Sequence, residues 1–499
     1  MTDLTLPPRD ALATLTRQMA DATTYDEWLA LARDHDALSG AADWRAREGS
    51  SLYDYRAIQS RLARLRAVLD EEHCHELLYT LNEGVHGNMG GMGRPVLYGR
   101  ARSGTKHLID DYVAAIAEGL ESIARAPDAQ ISHADKLDFF RRASHCYGRS
   151  ALLLSGGAGL IYFHHGVVQE LLEHGLLPNV ISGSSAGSAV AAQLGIYSDE
   201  ELAHGHFREK RYVAVQEVRI ADVLRDGLSA SFVKQARERA LDEIIPRDIT
   251  FGEAYEKTGR YINISISPAE KHQSSRLMNA ITSPNVYIRS AAAASSSIPG
   301  VAPPVRLYAK GFDGKPRPYL RNRRWVDGSF SHDLPVQRLT RLYGVNHFIV
   351  SLINPAVIPF IEDVTTQKSA GLKAATATGA IRVTNELLSA TERLLSRAGG
   401  LRGRVAVPLA LLVALLDQSY LGDINVLMQK SDFRWRQIFF EFEPGEIDEM
   451  VRAGQRRTWP KIAQVRNAAL ISRTLDRILE ELSQDGLTRA QRTKHHQYV

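Results

Sequence analysis

At 499 residues, 44% hydrophobic and 24% charged, the chain has ordinary globular composition and room for two or three domains. A formal net charge of +4 is too small to argue for a nucleic-acid partner and is compatible with an anionic lipid surface. Cys74 and Cys146 are the two cysteines, which exclude a disulfide framework and point to a reducing, cytoplasmic compartment. No metal-binding spacing occurs, so no metal or cofactor is called for. The opening residues lack a secretory signal, and no run reaches the roughly twenty apolar residues of a spanning helix.

Residues 1–147 read as a helical domain. Apolar residues recur at helical spacing over Asp10–Met19, Tyr25–Asp34, Tyr55–Leu69, His73–Leu81 and Leu108–Ile123. Thr24, followed by Asp26 and Glu27, is placed to cap the second of these. Trp44, Tyr53 and Tyr55 read as core anchors. The glycine-rich run Gly84–Gly93 lacks the strand before it and the G-K-[ST] after it that a phosphate cradle requires, so it reads as a loop.

Residues 148–355 read as an α/β core. Leu152–Leu154 is a short buried strand running into Ser155-Gly156-Gly157-Ala158-Gly159, and a helix covers Leu160–His174. Val180-Ile181 is a second strand, followed by Gly183-Ser184-Ser185-Ala186-Gly187 and a helix of small residues. A serine in G-x-S-x-G, on a sharp turn from strand to helix, has its hydroxyl held out from the backbone. Small neighbours are needed because the turn brings helix and strand close. Ser185 is therefore the candidate nucleophile. Free N–H groups of the turn at Gly156, Gly157 and Ala158 form a candidate oxyanion hole. Tyr261–Ser267 alternates as a strand. Ser295-Ser296-Ser297 lacks elbow glycines and reads as a helix end and turn. A serine nucleophile needs a base, and Asp327, at the end of a short apolar run and before Gly328, is placed for one. His332 and His347 both follow Asp327, so chain order alone also allows a triad. His164 reads as a packing or helix-orienting residue.

Residues 356–499 read as mostly helical, with a polar, disordered end from about Ser483. Arg393–Leu416 joins four arginines to about a dozen apolar residues. That is too few to span a bilayer and suits either a buried helix or an interfacial segment.

Together, Gly156-Gly157, Gly183-Ser184-Ser185-Ala186-Gly187 and Asp327-Gly328 resemble the patatin-like phospholipase family. Ala158 stands where that family has its third glycine, and Ile161 where it has its last. The segments TYDEW, YDYR and GTKHLIDDY resemble the N-terminal domain of fungal and plant storage-lipid triacylglycerol lipases. The resemblance implies a patatin-like α/β sheet with helices on both faces, after a helical N-terminal domain and before a helical C-terminal region. It implies a Ser185–Asp327 dyad without histidine, partial desolvation of Asp327 to raise its basicity, and a lipid acyl ester substrate, triacylglycerol in particular. Peripheral association with a membrane or lipid-droplet surface follows as an expectation. Phospholipase, lysophospholipase or acyltransferase activity, and a catalytically dead lipid-surface adaptor, are the alternatives.

Overall fold

The computed structural model describes residues 9–70, 73–203, 238–239, 241–245, 248–270, 274–297, 302–328, 334–355, 358 and 422–496. Its contacts divide the chain into two compact units. Met1–Ser150, Tyr343–His347 and Trp459–Val499 form the first, and Ala151–Leu342 with Phe348–Thr458 the second. Residues 356–499 are thus shared between the two.

The first unit is helical. Its longer helices are α1 (Arg9–Asp21), α2 (Tyr25–Ser39), α3 (Tyr55–Asp70), α4 (Cys74–Gly84), α5 (His107–Arg125), α6 (His133–Tyr147) and the last helix, Ile462–His496. Thr24 caps α2 by accepting from the Glu27 N–H at 3.3 Å, a bond worth about 1 kcal/mol. Along α5, Leu108, Ile109, Tyr112, Val113, Ile116, Leu120 and Ile123 are buried, the spacing of one apolar face. They share a core with Ile471, Leu475, Ile478 and Leu482 of the last helix. Emptying one such site, as in Leu120→Ala, costs about 2–5 kcal/mol. Tyr53 is buried in this core and donates from Oη to the Glu48 carbonyl at 2.8 Å; Trp44 and Tyr55 pack on it partly buried. A smaller cluster gathers Met19, Ala22, Trp28, Ala32 and Trp459. The last helix continues to His496 rather than ending near Ser483, because the residues after Ser483 include leucine, arginine, alanine, glutamine and lysine, all good helix formers.

The second unit is built on a seven-stranded sheet of β1 (Arg149–Leu154), β2 (Val180–Gly183), β3 (Tyr261–Pro268), β4 (Arg276–Met278), β7 (Trp325–Asp327), β8 (Val345–Leu352) and β9 (Ile424–Leu427). Its order is β4-β3-β2-β1-β8-β9, with β7 also on β3. β1, β2 and β3 pair in parallel, as do β8 and β9, whereas β4 and β7 run antiparallel to β3. Consecutive residues of β2 and almost all of β1 and β3 are buried, so both faces of the sheet are covered. The covering helices include α7 (Ile161–Glu173), α8 (Ala186–Ile196), α9 (Ile288–Ser295) and α10 (Glu446–Thr458). Helices α7 and α10 cross at two glycines. A Cβ on Gly166 would lie 2.0 Å from the Val451 carbonyl oxygen, and one on Gly454 2.2 Å from that of Phe163. β5 (Leu307–Lys310) and β6 (Pro316–Tyr319) form a separate antiparallel hairpin.

Candidate active site

β2 ends at Gly183, and Ser185 stands between it and α8 with φ 48° and ψ −121°. A positive φ on a residue with a Cβ is uncommon and costs of order 1–3 kcal/mol, so surrounding structure must hold it. Three features do. Gly187 and Ser188 donate their N–H groups to the Ser184 and Ser185 carbonyls at 2.9 and 3.0 Å. The Ser188 hydroxyl adds a 2.6 Å bond to the Ser185 carbonyl. The flanking glycines permit close contact: a Cβ on Gly183 would fall 2.2 Å from the Gly187 carbonyl oxygen, and one on Gly187 2.1 Å from that of Leu154.

The turn after β1 faces this elbow. A Cβ built on Gly156 would lie 3.2 Å from the Ser185 Cβ and 3.8 Å from its Oγ. Ala158 takes φ 48° and opens a short 3-10 turn, Ala158–Leu160, so the alanine adopts the left-handed conformation a glycine would have taken freely. Ile161 has helical φ −48°, is buried, and begins α7; nothing at that position requires glycine. The N–H groups of Gly157 and Ala158 meet no acceptor among the described residues.

His164 holds the turn from below. Its Nε2 lies 2.9 Å from the Ser155 carbonyl oxygen and its Nδ1 2.7 Å from the Ser351 Oγ. A carbonyl oxygen only accepts, so Nε2 carries the proton and Nδ1 accepts from Ser351. Burial lowers the His164 pKa to about 4, which keeps the ring neutral. Both nitrogens are thereby engaged. Ser155 completes the clamp, its Oγ accepting from the Ile353 N–H at 2.9 Å.

Asp327 is the last residue of β7, 1% exposed, and pairs with Ile266 of β3. Ile266 also pairs with Arg276 of β4, so β7 lies on the opposite edge of β3, the edge on which Gly183 of β2 pairs with Ile264. Ser185 and Asp327 therefore follow one another along the same edge of β3, their strands paired two residues apart, roughly 7 Å along the strand. Gly328 follows because a Cβ there would lie 2.4 Å from the Ser265 backbone. The Ser185 Oγ makes no hydrogen bond among the described residues. Catalytic bonds in empty sites are often long and tighten with substrate.

The serine triplet at the end of α9 ties the two positions together. The Ser295 Oγ accepts from the Ser185 N–H at 2.9 Å and donates to the Ser265 carbonyl at 2.9 Å. The Ser297 carbonyl accepts from the Asp327 N–H at 2.9 Å. From sequence, Ser295 and Ser297 read only as a helix end, which they also are. No local signal marks the bond from Ser295 to a residue 110 positions away. His347 lies near the start of β8, with Nδ1 3.2 Å from the Ser150 Oγ. His332 and the Arg393–Leu416 segment lie outside the described residues. Among the described residues no group of three His, Cys, Asp or Glu converges as a metal site.

A serine on a strained strand-to-helix elbow, opposite a glycine turn with free N–H groups, defines an α/β fold of the nucleophile-elbow class. Residues 152–340 match the model of the patatin-like phospholipase family, and residues 8–145 that of a domain of unknown function, DUF3336. Triacylglycerol lipase 4 of Saccharomyces cerevisiae is 31% identical over 90% of this chain and 51% of its own length. Triacylglycerol lipase SDP1L of Arabidopsis thaliana is 30% identical over 93% of this chain and 58% of its own. A patatin-like phospholipase domain-containing protein of Aspergillus fumigatus is 30% identical over 95% of this chain and 69% of its own. The chain belongs to the patatin-like phospholipase family. It spans about half to three-fifths of the length of the two lipases.

Proposed function

We propose that the protein is a serine lipid acyl hydrolase, a triacylglycerol lipase, acting peripherally at a lipid or membrane surface. The observation that carries this reading is the strained Ser185 elbow with Gly156 packed against it. The names of the yeast and plant relatives favour triacylglycerol as substrate. In this reading the Ser185 Oγ attacks the ester carbonyl carbon as its proton passes to the Asp327 carboxylate. The tetrahedral oxyanion is held by the N–H groups of Gly157 and Ala158. Collapse expels the alcohol, which takes the proton back from Asp327, and leaves an acyl group on Ser185. Water then attacks the acyl carbon, with Asp327 again taking the proton, and releases the fatty acid. His164 takes no part, since each of its nitrogens already has a partner. Phospholipid hydrolysis and acyl transfer use the same steps with another leaving group or acceptor.

The test uses a fluorophosphonate probe, a soluble short-chain ester and a trioleoylglycerol emulsion. Wild type is labelled and cleaves both esters. Ser185→Ala loses labelling and turnover while keeping its thermal transition. Asp327→Asn loses several orders of magnitude in kcat, and His347→Ala does not. Substantial ester turnover by a folded Ser185→Ala protein refutes the assignment. Absence of labelling in wild type instead points to an adaptor that has kept the fold.

A further inference from the structure

The β5–β6 hairpin concentrates the chain's positive charge. Residues 306–324 hold seven lysines and arginines against Asp313 alone, while the other 480 residues hold 54 basic and 56 acidic side chains. The net +4 of the whole chain thus arises from this one segment. Within it, Lys310 pairs with Glu253 and Arg317 with Asp313. Arg306, Lys315, Arg321 and Arg324 are exposed and engage no carboxylate among the described residues.

An apolar residue stands at the tip. The turn Gly311-Phe312-Asp313-Gly314 is closed by bonds from Gly311 N–H to the Lys315 carbonyl and from Gly314 N–H to the Gly311 carbonyl, both 2.9 Å. Gly314 supplies the positive φ, 74°. Phe312 is left with no packing at all, at 112% relative exposure. Tyr308 is also exposed, on the same strand face as Lys310.

The hairpin is rigidly based. Val305 and Trp325 exchange both backbone bonds at 2.9 and 2.8 Å, and Asp327 is two residues beyond Trp325. The outer edge of β5 is bound through the Tyr308 carbonyl to Tyr287 and through the Lys310 N–H to Asn285. The outer edge of β6 carries Pro316 and Pro318, which offer no N–H, so it is poorly suited to recruit a strand from another protein. From Val305 to Phe312 the strand extends about 20 Å.

From the bare phenylalanine at the apex and the free cations along the hairpin, we infer that this hairpin is a docking finger for an anionic lipid surface. Phe312 enters the acyl boundary, and Lys315, Arg321 and their neighbours meet the headgroups. Because the chain runs from β6 into β7, docking the finger holds the Asp327 end of β3 within about 20 Å of the surface from which a water-insoluble ester must be drawn. The inference rests on the lipid-ester reading for its purpose but is tested separately from it.

The full chain is floated with vesicles of phosphatidylcholine alone and of phosphatidylcholine mixed with phosphatidylserine. Wild type binds the anionic vesicles, and binding falls at high salt. Phe312→Ser weakens binding roughly tenfold, since a large apolar group no longer leaves water. Lys315→Ser/Arg321→Ser removes two cations, each about a fivefold factor, and with them most of the preference for phosphatidylserine. Phe312→Trp adds a gain of signal, a blue shift of its indole fluorescence on vesicle binding. All three residues are exposed, so thermal transitions stay unchanged. Variants that float like wild type, or a fluorescence of Phe312→Trp that vesicles leave unmoved, overturn the inference. So does wild type that ignores the vesicles but binds duplex nucleic acid. Soluble-ester turnover, measured on the same proteins, reads the hydrolase assignment independently. Flotation that responds to the variants without any ester cleavage leaves the finger standing and removes the lipase.

Discussion

Replacing Ser295 by alanine tests whether the elbow depends on its neighbour. The hydroxyl is completely buried and joins two backbone groups, the Ser185 N–H and the Ser265 carbonyl, each at 2.9 Å. Removing it leaves a donor and an acceptor unsatisfied, at about 1–3 kcal/mol each. The expected destabilisation is about 2–6 kcal/mol. The same bond helps to hold Ser185 at φ 48°, and a relaxed elbow shifts the Oγ; misplacement by about 1 Å costs on the order of a hundredfold in rate. Turnover of a soluble ester and the rate of fluorophosphonate labelling should both fall roughly 10- to 100-fold, measured well below the lowered thermal transition. Ser296→Ala is the control. Its hydroxyl bonds only the Ala292 carbonyl of its own helix, at 2.8 Å, and its loss should change neither rate. If Ser295→Ala labels and turns over like Ser296→Ala, the elbow does not rely on this bond and the positioning role is wrong.

Other predictions concern stability. His164 has a depressed pKa in the fold, about 4 against 6.5, so the unfolded chain binds the extra proton between those values. Stability is complete above about pH 6.5 and is lost as pH falls towards 4, by up to about 3 kcal/mol. Denaturant titrations across this range should show a shallower pH dependence for His164→Gln, and an unchanged slope would place the acid sensitivity elsewhere. In the first unit, buried Asp36 accepts from the Arg102 N–H at 2.8 Å, the Ser103 N–H at 2.8 Å and the Ser103 hydroxyl at 2.7 Å. Asp36→Ala should destabilise that unit by about 3–5 kcal/mol, read as an earlier thermal transition; an unshifted transition would show that water replaces the carboxylate without cost.

Much of this architecture is legible locally, because local rules fix it. The five helices expected from apolar spacing all form, within a few residues at their ends, and Thr24 caps as its sequence suggests. The strand, glycine turn, helix, strand and elbow between Leu152 and Ala186 are likewise readable, since only small residues fit such close approaches. Helix α6 is not legible in the same way, because its buried face, Lys136, Phe139, Phe140, Ala143 and Tyr147, begins with a lysine. That lysine is buried by bonding the carbonyls of Ala124 and Ala126, a solution visible only in three dimensions. β6 carries no strand pattern, because two of its four residues are proline. β9 lies some 70 residues beyond β8, too far for any local pattern to attach it to the sheet. Ser295 shows the same limit within the site: its helix is legible and its partner is not.

That the second unit interrupts the first along the chain has a consequence for biosynthesis. The core around α3, α5 and α6 is completed by Ile471, Leu475, Ile478 and Leu482, more than 300 residues after Tyr147. At roughly 5–20 residues per second, that part of the chain leaves the ribosome roughly 15–60 s after the helices it must cover. Throughout that interval α5 and α6 lack the last helix that packs on them, while the strands and helices of the second unit are emerging and closing. The sheet can therefore mature before the module that precedes it in sequence. Completion of the first unit then comes last, against the usual N-terminal-first order. A ribosome stalled or a message cut short before the codon for Ile471 would release a chain whose second unit is nearly whole and whose leading helices are open to aggregation.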